Sequence, residues 1–446
     1  VLQFSTPGTF LSTTIMPPET SSEVQLVNGG GSSPSDGKAA PVDTSVDATL
    51  DEQVPWRPWP WNYFPDNLCI SFSWLLLSFV GPPMAILIGS AEVTWKLLQG
   101  IYFRVEALQR IRQRILDVAE VAGKYVLRDP RDFSYLPWML WLSLYCPFIL
   151  YYFYQRHDQH GFEWTMFLLY HFLRIGPRFR FFAHTHVLQH KEGHDHHGLF
   201  RGPWRVFNHV IQFWVGQFYG QVPNSYGIAH NKIHHRWHND LEDVHTNLDL
   251  DRTQFRSFLI YLPRFAVYWT GISPLLLFVQ RREWRFAAKM FKGMVIYYGL
   301  TAMFYHLNPT FCLMYWLFPH FESMIFFGGI SYLWHAWVDP EDPTNQYINS
   351  VTILNGFDNI WNEDYHVVHH HSPQTHWSEV PDHYQKHVHV YEKQRATIFE
   401  NTEEGEMLYW MFSGQWNELA KHFVDLSGKM TEAEKYDLLM TRLKFV

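Results

Sequence analysis

Long apolar stretches alternate with short polar breaks along this chain, and that rhythm predicts helices that sit in lipid. Crossing a bilayer takes roughly 20 mostly apolar residues, and several stretches reach that length. Residues 69 to 93 are the first, with Gly81-Pro82-Pro83 in their middle as an expected kink or re-entrant turn. Residues 135 to 155 and 162 to 182 flank a short polar loop at Arg156, His157 and Asp158 and predict a helical hairpin. Residues 255 to 280 carry Pro263, Arg264 and Pro274, which suits a broken or interfacial helix, and 290 to 307 with 310 to 337 predict a second hairpin. The expected fold is all-α and integral to a membrane: four or five transmembrane helices with a cytosolic, histidine-rich helical cap.

The two ends read differently. Residues 1 to 55 are rich in Ser, Thr, Pro and Gly, bury too little apolar surface to order themselves, and predict a disordered tail. A membrane domain is expected over 56 to 390 and a C-terminal helical extension over 391 to 446. Trp56, Trp59, Trp61, Tyr63 and Phe64 suit the headgroup level, where amphipathic rings collect. Lys96, Arg104, Arg110, Arg112, Arg114, Lys124, Arg128 and Arg131 place the stretch from 96 to 131 in the cytosol by the positive-inside bias. Counting crossings onward puts the histidine-rich loops on that same side. The tail lacks the arginine-rich character of an organelle transit peptide, so the endoplasmic reticulum is the expected membrane.

Composition supports lipid exposure. Aromatic residues make up 18% of the chain and charged residues only 17%, against about 25% charged in soluble domains. A net charge of -8 leaves no basic face for nucleic acid. Cys69, Cys146 and Cys312 are widely separated, without CxxC spacing, and read as core thiols.

The chemistry lies in the histidines. Twelve of the 27 fall between His184 and His245. One group includes His184, His186, His190, His194, His196 and His197; a second is His230, His234, His235 and His238; a third is His366, His369, His370 and His371. Helix positions three and four apart share a face, so one turn can aim two imidazoles at one metal. His190 with His194 makes such a pair, as does His186 with His190, and His230 with His234 makes another. His235 is expected to diverge from His230 and serve a neighbouring metal, while His366, His369 and His370 offer three ligands from one turn. Lone histidines on apolar helices, His171, His209, His306 and His320, read as satisfied core residues. Imidazole suits zinc, copper, iron and nickel, but zinc takes three or four ligands, and these groups hold more than one such site uses. A zinc-peptidase HExxH is missing, because Lys191 follows His190 and the glutamate arrives one place late at Glu192. Glu192, Asp240, Asp243, Glu363 and Asp364 lie close enough in sequence to orient imidazole N–H groups.

These segments resemble the membrane fatty acid desaturase and hydroxylase superfamily, non-haem diiron enzymes marked by three histidine boxes. The family pattern HxxxH, HxxxHH, HxxHH is matched by His190-Lys-Glu-Gly-His194, by His230-Asn-Lys-Ile-His234-His235 and by His366-Val-Val-His369-His370, and the likeness covers roughly residues 65 to 390. Family members use one more histidine at the end of the last span, where this chain has His335. The resemblance implies nine ligands: His190, His194, His230, His234, His235, His335, His366, His369 and His370. It implies two iron ions, O2 as co-substrate, and desaturation, hydroxylation or epoxidation of an unactivated carbon in a lipid such as a fatty acyl chain or isoprenoid hydrocarbon. With no fused electron carrier, a separate cytochrome b5 or ferredoxin with its reductase is the expected donor. A membrane zinc hydrolase and a non-catalytic membrane metal-binding protein are the competing classes. The second would place ionisable groups along its spans, and these spans carry few.

Overall fold

The computed structural model describes residues 60 to 195 and 197 to 444. The expected tail over 1 to 55, Trp56, Trp59 and His196 lie outside the described residues.

The apolar stretches do become helices. The first is α1 (Asp66–Arg104), followed by the amphipathic α2 (Glu106–Val126) and by α3 (Tyr135–His160). Helix α1 runs through Gly81-Pro82-Pro83 as one helix, where the sequence predicts a kink. It packs against several later helices, and in lipid such neighbours support a proline-containing helix. The basic stretch from 96 to 131 is itself largely helical. On α2 it exposes Ile111, Ile115 and Val118 at helical spacing. Trp61 is not an interfacial anchor: it is buried, and its Nε1 donates to the Val244 carbonyl at 2.9 Å.

The expected span over 162 to 182 is not one continuous helix. Helix α4 (Trp164–Ile175) stops at Gly176, whose φ of +73° closes the helix, and α5 (Arg180–His194) starts after Pro177. Twelve residues extend only about 18 Å, well short of a hydrocarbon core of about 30 Å. Next come α6 (Val210–Phe213), a π-helical segment (Ser225–His234) and α7 (His235–Trp237). The proline-rich stretch then forms α8 (Phe255–Trp269) and α9 (Ile272–Gln280), bent by 74° at Thr270-Gly271, as a broken helix is expected to be. Helix α10 (Trp284–Leu307) leads through α11 (Pro309–Phe311) and a second π segment (Cys312–Leu317) into α12 (Phe318–Trp334). Among the described residues, two helical stretches are long and apolar enough to cross a membrane, Asp66–Tyr102 and Pro130–His160. There are three if the bent pair is one span.

The remainder is α13 (His366–His371), α14 (Val380–Lys393), α15 (Glu404–Ser413), α16 (Trp416–His422) and α17 (Glu432–Lys444). Strand β1 (Thr352–Leu354) pairs in parallel with β2 (Ile398–Glu400), Thr352 opposite Ile398. Helices α1, α8 and α12 pack on one another, and the Ser73 hydroxyl donates to the Leu259 carbonyl at 2.6 Å. Arg174 of α4 and Glu322 of α12 form a fully buried ion pair. The three cysteines are free and buried. The C-terminal helix is tied to the centre through Arg252, which donates to the carbonyls of Ala336 at 2.9 Å and Arg442 at 3.0 Å.

Candidate metal centre

Three local features aim the histidines. On α5, His190 and His194 are one turn apart on the same face. Gly193 between them lets the neighbouring π segment approach, since a β-carbon there would come within 2.8 Å of Tyr226 Cβ. Asn231 then donates to the Gly193 carbonyl at 2.7 Å. In the π segment the repeat is i to i+5, so residues five apart align. His230 therefore faces the same point as His235, with their Nε2 atoms 3.0 Å apart, and His234 turns to the other side. This corrects the expected pairing of His230 with His234, which assumed α-helical spacing. On α13, His366 and His370 share a face, Nε2 to Nε2 3.0 Å, while His369 points elsewhere. The three ligands expected from one turn are thus divided.

The outcome is two clusters. His190, His194, His230, His235 and His369 form one, and His234, His335, His366 and His370 the other; within each, the candidate ligand atoms all lie within 4.8 Å of one another. All nine predicted histidines fall in these clusters. His186 falls in neither. His234 also groups with Asp243 and His245.

The nitrogen contacts fit bound cations. His230 Nε2 lies 2.8 Å from His190 Nε2 and 3.0 Å from His235 Nε2, and His235 Nε2 lies 2.8 Å from His369 Nε2. A neutral imidazole has one N–H and one lone pair. His190 spends its N–H at Nδ1, which donates to Glu363 Oε2 at 2.6 Å, so its Nε2 offers only a lone pair. His234 Nδ1 donates likewise to Asp243 Oδ2 at 2.8 Å, and His335 Nδ1 to the Asn349 carbonyl at 2.6 Å. Lone pairs converging in this way are a fitting cradle for a cation. Burial, followed by the neighbouring imidazoles, holds His230, His235, His366, His369 and His370 well below the usual imidazole range, so the rings are neutral and able to ligate. Burial would push Glu363 up, but Lys191 and His190 outweigh it and bring its carboxyl down to about 2. Asp243 follows the same logic, with His245 and His234 overcoming burial.

The chain matches the family model of fatty acid desaturases over residues 162 to 402, more than half its length. This protein belongs to the fatty acid desaturase family. Comparison with curated proteins and with solved structures gives no match. The matched region of this desaturase-family protein takes in every histidine of both clusters. Family membership makes it an oxidoreductase that acts on lipids in a membrane context.

Beside the clusters lies an apolar cavity of about 120 Å³, walled by Val187, Phe265, Trp269, Phe327 and Ile330 and reached by His190, His230, His234, His335 and His366. Of the carboxylates singled out in the sequence, Glu363 and Asp243 hold imidazoles. Glu192 instead accepts the backbone N–H of Gln212 at 2.8 Å, anchoring α6, and burial pushes its carboxyl up to about 8. Asp240 accepts from the Leu241 N–H at 2.6 Å, and neither it nor Asp364 makes a described hydrogen bond from its carboxylate to an imidazole. Spacing did not reveal the role of His238, whose Nδ1 lies 2.8 Å from His370 Nδ1 and whose Nε2 is 3.2 Å from the Ser350 hydroxyl. The chain leaves the helix at His238 with φ +45°, so helical spacing fails there. His171 is a satisfied core residue, bonded to the Met314 carbonyl and to Arg174; His320 is buried and bonded through Nδ1 to the Gly220 carbonyl, with Nε2 unpartnered, whereas His209 and His306, expected in the core, are exposed.

Proposed function

We propose that the two clusters hold two iron ions and that the protein uses O2 to oxidise an unactivated carbon of a lipid by desaturation, hydroxylation or epoxidation. The observation that carries this reading is the division of nine imidazoles, each buried or half-buried, into two converging groups against an apolar cavity. His190, His194, His230, His235 and His369 would ligate one iron, and His234, His335, His366 and His370 the other. Bound iron supplies reductive activation of O2, which is the chemistry that an unactivated C–H bond requires. The chain's own part is geometric and electrostatic. The carboxylates of Glu363 and Asp243 and the Asn349 carbonyl each accept a hydrogen bond from a ligand's Nδ1–H and so keep its Nε2 free. Lys191 keeps Glu363 ionised. Phe265, Trp269 and Phe327 hold the hydrocarbon and exclude water.

On this reading α1, α3, the broken run from α4 into α5, α10 and the run from α11 to α12 make up the four or five crossings, and the bent α8–α9 pair lies at the interface. The basic stretch around α2 faces the cytosol of the endoplasmic reticulum, the metal clusters lie on the same side, and a separate cytochrome b5 or ferredoxin with its reductase delivers electrons. The decisive experiment joins metal analysis of purified protein to lipid profiling of a heterologous host. We expect about two irons per chain and a new oxidised lipid. One zinc per chain with full activity overturns the proposal.

A further inference from the structure

Helix α2 carries a surface that neither the metal clusters nor the cavity uses. It is held to the body near its C-terminal end, where Ala119 and Gly123 are buried and Gly123 lies against Phe133. From Val105 to Ile115 every residue is exposed. Leu108, Ile111, Ile115 and Val118 follow one another at steps of three, four and three, so they form one stripe along the helix, and each is at least 40% exposed.

The charges are sorted around that stripe. At about 100° of turn per residue, Glu106, Asp117 and Glu120 fall on the face opposite it, whereas Arg112 and Arg114 border it, one on each flank. The other cations of the helix are occupied: Arg110 pairs with Glu106 at 3.0 Å and Lys124 with Glu120 at 3.0 Å, while Gln113 donates to Asp117 at 2.8 Å. Among the described residues, no carboxylate pairs with Arg112 or Arg114.

An exposed apolar stripe edged by unpaired cations makes two demands, hydrocarbon beneath it and anions along its borders. A bilayer surface with anionic headgroups meets both, because the apolar stem of arginine lets its guanidinium reach from a sunken stripe to a phosphate. The stripe also continues a lipid-facing surface. Helix α1, which is long and apolar enough to cross a membrane, exposes Leu97, Leu98 and Ile101 just before the chain turns into α2 at Val105. We propose that α2 is an anionic-lipid binding site, its stripe lying at the acyl boundary and Arg112 and Arg114 holding headgroup phosphates. The inference needs only that the chain sits in a membrane and does not depend on the iron reading.

Quenching by lipids brominated in their acyl chains tests it. Full-length protein in nanodiscs of phosphatidylcholine and phosphatidylserine carries a fluorophore at Ile111→Cys on the stripe or at Gln113→Cys on the polar face, the three native cysteines being buried. Bromine is placed on one lipid at a time, and the fraction of phosphatidylserine is titrated. We expect quenching at Ile111→Cys and little at Gln113→Cys, with phosphatidylserine preferred at Ile111→Cys by roughly 25-fold at low salt, about 5-fold for each arginine, and less at high salt. Arg112→Gln combined with Arg114→Gln should erase the preference while leaving thermal stability, and quenching by brominated phosphatidylcholine, unchanged. No quenching at Ile111→Cys by either lipid places the stripe against a protein partner or a second copy and overturns the inference. Equal quenching by the two lipids, or a preference that survives the double glutamine variant, overturns it as well.

Discussion

At the scale of single residues, a ligand's partner matters nearly as much as the ligand. Glu363 touches His190, whereas Glu192 touches only backbone. Glu363→Gln should weaken metal retention by roughly 10- to 100-fold, read as iron lost to a chelator over time, and Glu192→Gln should leave that rate unchanged. Equal loss from both variants would remove the orienting role. The pH dependence has a definite sign. Because the folded carboxyl titrates at about 2, below its ordinary 4.5, its contribution is complete above about pH 4.5 and fades only as pH falls toward 2. Glu363 therefore adds no step to iron retention between pH 5 and 8. His335 and His320 offer a second contrast, since both are buried near α12 but only His335 joins a cluster. His335→Ala should abolish iron binding at its cluster. His320→Ala should lower thermal stability and keep the metal, so iron content that falls alike in both variants would refute the distinction.

Between elements, the buried contact of α4 with α12 is an ion pair inside an apolar setting. Arg174 also donates to His171 Nδ1 at 3.3 Å, and its own carbonyl accepts from Tyr219 at 2.8 Å. Removing one charge strands the other, so Arg174→Ala or Glu322→Ala should each cost about 3–5 kcal/mol. Replacing both with residues of similar volume, Arg174→Met with Glu322→Leu, should recover most of the loss. Thermal unfolding in detergent measures this, and a double variant as unstable as the singles would show that the charges themselves are required. The π segment Ser225–His234 is equally specific. Deleting one residue between His230 and His235 moves them from i+5 to i+4 and brings the wrong imidazole to each cluster, and the expected result is iron loss from both sites.

Across the whole molecule, the clusters depend on chain far from any histidine box. Arg252 ties Ala336, next to His335, to the carbonyl of Arg442, and Val338 N–H donates to that same carbonyl at 3.2 Å. β1, which leads toward α13, pairs with β2 near the C-terminus. Truncation after Thr431, which removes α17, should therefore lower the melting temperature and speed iron loss from the His335 cluster before the other. Unchanged iron release would show that α17 is only an appended helix.

Local rules determined much of this protein. Apolar length predicted helices and their lipid setting, proline content predicted the bend between α8 and α9, and helical spacing with box order brought eight of the nine clustered histidines to notice, His335 being implied only by the family resemblance. Each of those signals lies within one or two turns of chain, where backbone geometry relates neighbours directly. Tertiary structure decided the rest. The division of the histidines into five and four depended on a π-helical repeat that composition does not encode and on His335 coming from a separate element. The choice of Glu363 and Asp243 over Glu192 and Asp240 depended on which carboxylate a folded loop places within 3 Å of an imidazole. His190 and Glu363 are 173 positions apart, and a contact at that separation is set by loop closure and packing, which no local pattern records.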